Sequence, residues 1–228
     1  MATVHSFTQG KILSPLLQFS LPILVALLLQ AMYGAADLLI VGQFNSSADV
    51  SAVATGSQVM HTLTTVITGL SMGTTILLAQ KIGQKRQDEA GKVIGSGIFL
   101  FGIIALVLTV VVELTAGPLA SLMQAPAEAF DKTVEYVRIC SAGTIFIVAY
   151  NVLGSIFRGL GDSKTPLLAV LIACILNIAG DLLFVGVFGM ATGGAALATV
   201  LAQSVSVILC IWIIRRRGLP FSFVLSDI

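Results

Sequence analysis

Two aspartates stand inside stretches that are otherwise long and apolar enough to cross a bilayer, Asp37 in the first such stretch and Asp181 in the fifth. Asn177 precedes Asp181 by one helical turn, and Thr199 lies in the sixth stretch. A carboxylate at membrane depth costs about 2.5 kcal/mol or more, so such residues line ion or proton pathways or find a buried partner. Two carboxylates brought together in a dry site cannot both stay ionised cheaply, and the pair then holds a proton or binds a cation. With an amide and a hydroxyl added, the set is made of hard oxygen ligands, which suits H⁺ or Na⁺ and argues against a soft transition metal. Asp37, Asn177, Asp181 and Thr199 are therefore the expected cation site, and they act as metal ligands only if the ion is Na⁺.

These four residues can meet only if helices bring them to one depth in a membrane. Composition supports that setting: 57% of the 228 residues are hydrophobic, 10% are charged and the mean hydropathy is +1.02, against about 25% charged residues in a soluble domain. A net charge of +1 gives no sign of a nucleic-acid partner. Six apolar stretches reach the roughly 20 residues needed to cross hydrocarbon: Leu16–Phe44, Ala52–Ala79, Val93–Leu114, Thr133–Phe157, Pro166–Phe188 and Gly194–Ile214. If they alternate, Lys11, Lys81, Lys85, Arg86, Lys92, Arg158, Lys164 and Arg215 to Arg217 share one side, and only Lys132 and Arg138 fall on the other. The excess of basic residues predicts cytoplasmic termini.

At the helical rise, Asp37 and Asp181 lie roughly 10 Å from the ends of their spans opposite the basic side, and Thr199 about 8 Å, so three helices offer polar groups at one level. Asn177 shares the Asp181 face at i and i+4. Gln30, Tyr33 and Asp37 make an i, i+3, i+7 stripe that should face a cavity, and Gln203 extends the Thr199 face by a turn. Tyr136 and Arg138 are roughly 200° apart around one helix. The expectation is Tyr136 inward and Arg138 reaching the outer surface, with an ion pair to an aspartate as the alternative.

Pro22 removes a backbone hydrogen bond about four turns before Asp37 and marks a kink point. Glycine pairs four apart, among them Gly69/Gly73, permit close helix contact. Cys140, Cys174 and Cys210 stand singly in apolar runs, which fits neither a disulfide framework nor a metal motif. His61 is a lone histidine in the second span and is expected to be packed or hydrogen-bonded. No His-Glu-x-x-His or Gly-x-Ser-x-Gly pattern occurs, so an intramembrane enzyme is not expected.

Several motifs carry a family resemblance. They are Leu21-Pro22, the run from Asp37 to Gly42, Ala79-Gln80 through Gly83, the Arg158 to Pro166 loop, and Asn177-x3-Asp181 followed eighteen residues later by Thr199. Over essentially its whole length the chain resembles the N-terminal half of the multidrug and toxic compound extrusion (MATE) family, in its DinF-like prokaryotic branch. The resemblance implies an all-α integral membrane fold, a six-transmembrane-helix bundle corresponding to one lobe of a twelve-helix transporter. Residues 1–15 would be a cytoplasmic segment, 16–214 the lobe and 215–228 a linker toward a second lobe.

By that resemblance the chain is part of a cation-coupled multidrug efflux antiporter in the cytoplasmic membrane, with no cofactor. Asp37, Asn177, Asp181 and Thr199 match the coupling-ion site, Pro22 a hinge, and Gln30 and Tyr33 the drug cavity. Tyr136 and Asn151 match their neighbours in the hydrogen-bond network, and Gln203 is grouped with this cavity. Implied partners are small amphipathic cationic drugs, the lipid bilayer, and a second six-helix lobe or a second copy of the chain. The alternatives are a lipid-linked oligosaccharide flippase of the same superfamily and a half-transporter that serves only as an assembly module.

Overall fold

The computed structural model describes residues 13–218, apart from the side chains of Gln87 and Asp88. His5, Lys11 and the segment 219–228 lie outside the described residues. Every regular element within them is helical: α1 (Leu13–Phe44), α2 (Ser47–Gly83), α3 (Gln87–Leu122), α4 (Phe130–Ala142), α5 (Thr144–Gly159), α6 (Lys164–Asp181) and α7 (Ala191–Arg217), with a π turn over Leu182–Val187 after α6. Five of these stretches are long and apolar enough to cross a membrane, and α4 with α5 makes a sixth if that bent pair is one span.

One expected span needs correction, and another, present at its expected length, carries an irregularity. The span predicted over Thr133–Phe157 is not one rod: it breaks at Gly143 and turns by 56°. The residue there is glycine because α7 presses against it; a Cβ at Gly143 would sit 2.5 Å from both γ carbons of Val200. The span predicted over Pro166–Phe188 is α-helical only to Asp181 and then widens into the π turn, with Phe188 N donating to Leu183 O at 2.9 Å. Widened turns of this kind often occur at functional sites.

Local chemistry explains the other ends. Ser46 and Asp49 form a reciprocal cap that starts α2 earlier than the apolar run suggests, with Asp49 N donating to Ser46 Oγ at 3.3 Å and Ser46 N donating to Asp49 Oδ2 at 3.1 Å. At the start of α6, Lys164 N and Thr165 N both donate to Asp162 Oδ1 at 3.0 Å, and Arg217 from the end of α7 reaches Asp162 Oδ2 at 3.3 Å. The Arg158 to Pro166 loop therefore caps one span and ties it to the next.

α6 packs chiefly on α7 and α1, while α2 packs on α5, α4 and α3. Lys81, Lys92, Arg158, Lys164 and Arg217 gather at one end of the bundle, called here the basic end. At the far end both exceptional cations meet acids of neighbouring helices. Lys132 Nζ lies 2.7 Å from Asp49 Oδ1, and Arg138 Nε lies 3.6 Å from Glu113 Oε1. Arg138 therefore points outward and away from both membrane-embedded aspartates, as the azimuth argument expected. Asp49 is only 4% exposed, so Lys132→Ala leaves a shielded carboxylate with its serine partner alone. We expect a loss of about 1–2 kcal/mol, below the value for a deeply buried pair because Asp49 sits at a helix end. Thermal unfolding in detergent measures it, and Lys132→Arg should retain most of the stability.

Candidate functional site

α1, α6 and α7 bring the expected cation site together. Asp37 is 4% exposed, Asn177 1% and Asp181 0%. The carboxyl groups of Asp37 and Asp181 are close neighbours, and the Asn177 side chain stands beside Asp37. Asn177 Nδ2 donates to Thr199 Oγ1 at 3.2 Å, which ties α6 to α7. The opposing carboxylates, however, cannot donate to each other. Asp37 Oδ1, both oxygens of Asp181 and Asn177 Oδ1 are buried and have no donor among the described residues.

Four orphaned oxygens in one dry pocket are a strong chemical statement, because a buried polar atom left unpaired costs about 1–3 kcal/mol and a charged one more. A proton shared between the acids would supply one donor. A hard monovalent cation would draw on all four oxygens. The donor set fits either ion, and among the described residues no group of three or more His, Cys, Asp or Glu offers a site to a transition metal.

The surroundings are polarised along the bundle. One turn toward the far end from Asp37, Asp181 and Thr199 stand Val41, Val185 and Ala195, which belong to one buried apolar cluster with Tyr136, Cys140 and Ala196. Toward the basic end the polar side chains continue. Tyr33 is a near neighbour of Gln203, and Tyr150 of Gln30. The apolar cluster thus closes the acids off from the far end of the lobe, while a polar wall approaches them from the middle of the bundle.

Tyr136 points inward, 2% exposed, with Thr199 as a near neighbour. Its ring covers Gly56 so closely that a Cβ there would lie 2.5 Å from ring Cδ1. Asn151 stands apart from this network: Thr68 Oγ1 donates to its Oδ1 at 3.0 Å and its Nδ2 donates to Ile147 O at 2.8 Å, which clamps α5 to α2. Pro22 lies within α1, which runs unbroken through it, well on the basic side of the acids.

Tyr150 was missed by sequence reasoning. It lies fourteen residues, close to four turns, after Tyr136, a spacing that could have flagged it had the span been straight. His61 also departs from expectation, being exposed, as is Gln58 one turn before it, and among the described residues neither side chain has a hydrogen-bond partner. Lipid does not tolerate such groups cheaply, so this face of α2 turns toward water or protein. The three cysteines are buried, free and apart.

Long apolar helices crossing side by side around a dry, closely spaced acid pair, with a polar wall leading to it, define a lobe of a membrane transporter. The family follows from comparison. Residues 22–183 match the MatE family model, and the chain belongs to that family, whose members are transporters and not enzymes. It is 29% identical over 219 residues to the probable multidrug resistance protein YpnP of Bacillus subtilis (strain 168), covering 96% of this chain and 49% of that protein. Among solved structures, a proline-to-alanine mutant of a MATE protein superposes with a TM-score of 0.89 at 27% identity, covering 100% of this chain and 51% of the other. A MOP superfamily transporter from Pyrococcus furiosus, described as having a binding pocket of reversed polarity that suggests a different function, gives 0.86 at 28% identity, covering 93% of this chain and 47% of that one. The chain spans about half the length of the curated relatives it matches.

Proposed function

We propose that the chain is the ion-coupling lobe of a cation-driven multidrug exporter. The observation that carries this reading is the donorless pair Asp37/Asp181 with Asn177 and Thr199 beside it. Such a pair binds H⁺ or Na⁺ as cargo, and its charge changes on release. Gln30, Tyr33, Gln203 and Tyr150 form the wall along which ion and drug approach, and Asn177 holds Thr199 in place. Pro22 offers α1 a bending point between this wall and the basic end. The exporter works in the cytoplasmic membrane with the basic end inside. A second six-helix lobe or a second copy completes the cavity; the half-length match and the exposed apolar flank of α1, with Leu21, Leu24 and Leu28 each more than 60% exposed, support this.

The flippase alternative is disfavoured by Arg138. A pyrophosphate-bearing substrate calls for cations in the cavity, and the one arginine expected near this level is paired outward with Glu113. Proteoliposomes containing the protein test the main reading. Imposed proton or sodium gradients should drive movement of a lipophilic cationic dye against its own gradient with one of the two ions. Dye movement indifferent to both gradients would defeat the proposal.

A further inference from the structure

A groove of about 520 Å³ runs between α2 and α3 on the outside of the bundle, remote from the acid pair. Its walls are Leu70, Leu77, Leu100 and Ile104, and its floor is kept low by Gly73 and Gly97. The helices meet closely at Gly97, where a Cβ would lie 3.3 Å from Thr74 Cγ2, whereas at Gly73 nothing lies within 4 Å. From Leu70 to Lys81 the groove extends roughly 17 Å at the helical rise, close to the roughly 15 Å thickness of one leaflet's hydrocarbon. It ends at the basic end with Lys81 and Lys92.

We propose that this groove binds one anionic phospholipid of the leaflet at the basic end, its acyl chain between α2 and α3 and its phosphate on Lys92 and Lys81. The charge balance at the mouth favours an anion. Glu89 is also there, but Lys81 and Arg86 both pair with it. Lys92 is exposed and forms no ion pair among the described residues, and Lys85 adds a further cation in the adjoining turn. Basic pockets between transmembrane helices on this side of a membrane are suited to acidic head groups. A protein helix is a poorer occupant, since the slot spans half a membrane and then closes on lysines. The proposal is independent of ion coupling and of drug transport.

Native mass spectrometry of the purified full chain, equilibrated with equal amounts of phosphatidylglycerol and phosphatidylethanolamine, tests it. One retained lipid is expected, with phosphatidylglycerol favoured about fivefold or more, the factor a single surface lysine supplies. Lys92→Gln should bring that preference down about fivefold. Gly73→Phe should abolish retention, because its ring enters open groove, while helicity and thermal unfolding stay at wild-type values. Equal retention of the two lipids by the wild type, or undiminished retention by Gly73→Phe, overturns the proposal. So does a second copy of the chain on this face in place of lipid, released by Gly73→Phe.

Discussion

Asp37→Asn is expected to make the protein more stable and inactive at once. In the wild type, Asp37 and Asp181 face each other without a donor between them, and three of their four oxygens are orphaned. The introduced amide removes one of the two like charges and can donate an N–H to the Asp181 carboxylate. A hydrogen bond to a charged acceptor contributes about 1.5–3 kcal/mol, so the melting temperature should rise in sodium-free buffer alkaline enough to leave both wild-type acids ionised. The same change deletes the charge that a travelling cation must neutralise. Ion-driven dye export by cells expressing the variant should fall at least about tenfold, the effect of losing roughly 1.4 kcal/mol of binding. Sodium or acid should stabilise the wild type and leave the variant indifferent. Unchanged export in Asp37→Asn would end the assignment of this pair as the coupling site. A lower melting temperature would show that Asp37 has a structural partner the donor accounting has missed.

What could be read from the sequence, and what could not, divides along a physical line. Depth was readable, because a fixed rise per residue converts spacing into level; that is why Asp37, Asp181 and Thr199 could be matched across three spans. Facing was readable within one helix, so the Gln30, Tyr33, Asp37 stripe and the inward turn of Tyr136 were within reach. Partners across helices were not, because they depend on the azimuth of a neighbour. Thus Glu113 as the partner of Arg138, and Thr68 as the partner of Asn151, emerge only from the packed bundle. Backbone irregularities were equally hidden. The π turn directly after Asp181 contains no proline, and the bend at Gly143 occurs at a glycine of ordinary negative φ. At Gly143 the cause is contact with another helix and not a preference of the local residues.

That contact at Gly143 makes the second large effect predictable. α4 and α5 bend around a point where Val200 of α7 fills the space a side chain would need, with both γ carbons 2.5 Å from an ideal Cβ. Val200 directly follows Thr199, whose hydroxyl accepts from Asn177. Gly143→Ala must therefore either straighten the bend or push α7 away, and the second route carries Thr199 off the site. Overpacking of this kind costs about 1–3 kcal/mol, and export should drop together with stability. Val200→Ala alone removes two methyl groups from a half-buried position and should cost about 1 kcal/mol with transport retained. Combined in one chain, the two changes should cost no more than Val200→Ala alone, with a coupling energy of about 1–3 kcal/mol in a double-mutant cycle and recovery of export. If the costs merely add, the bend is not held by Val200. Thr199 would then owe its position to Asn177, and the site would be insulated from the α4–α5 break.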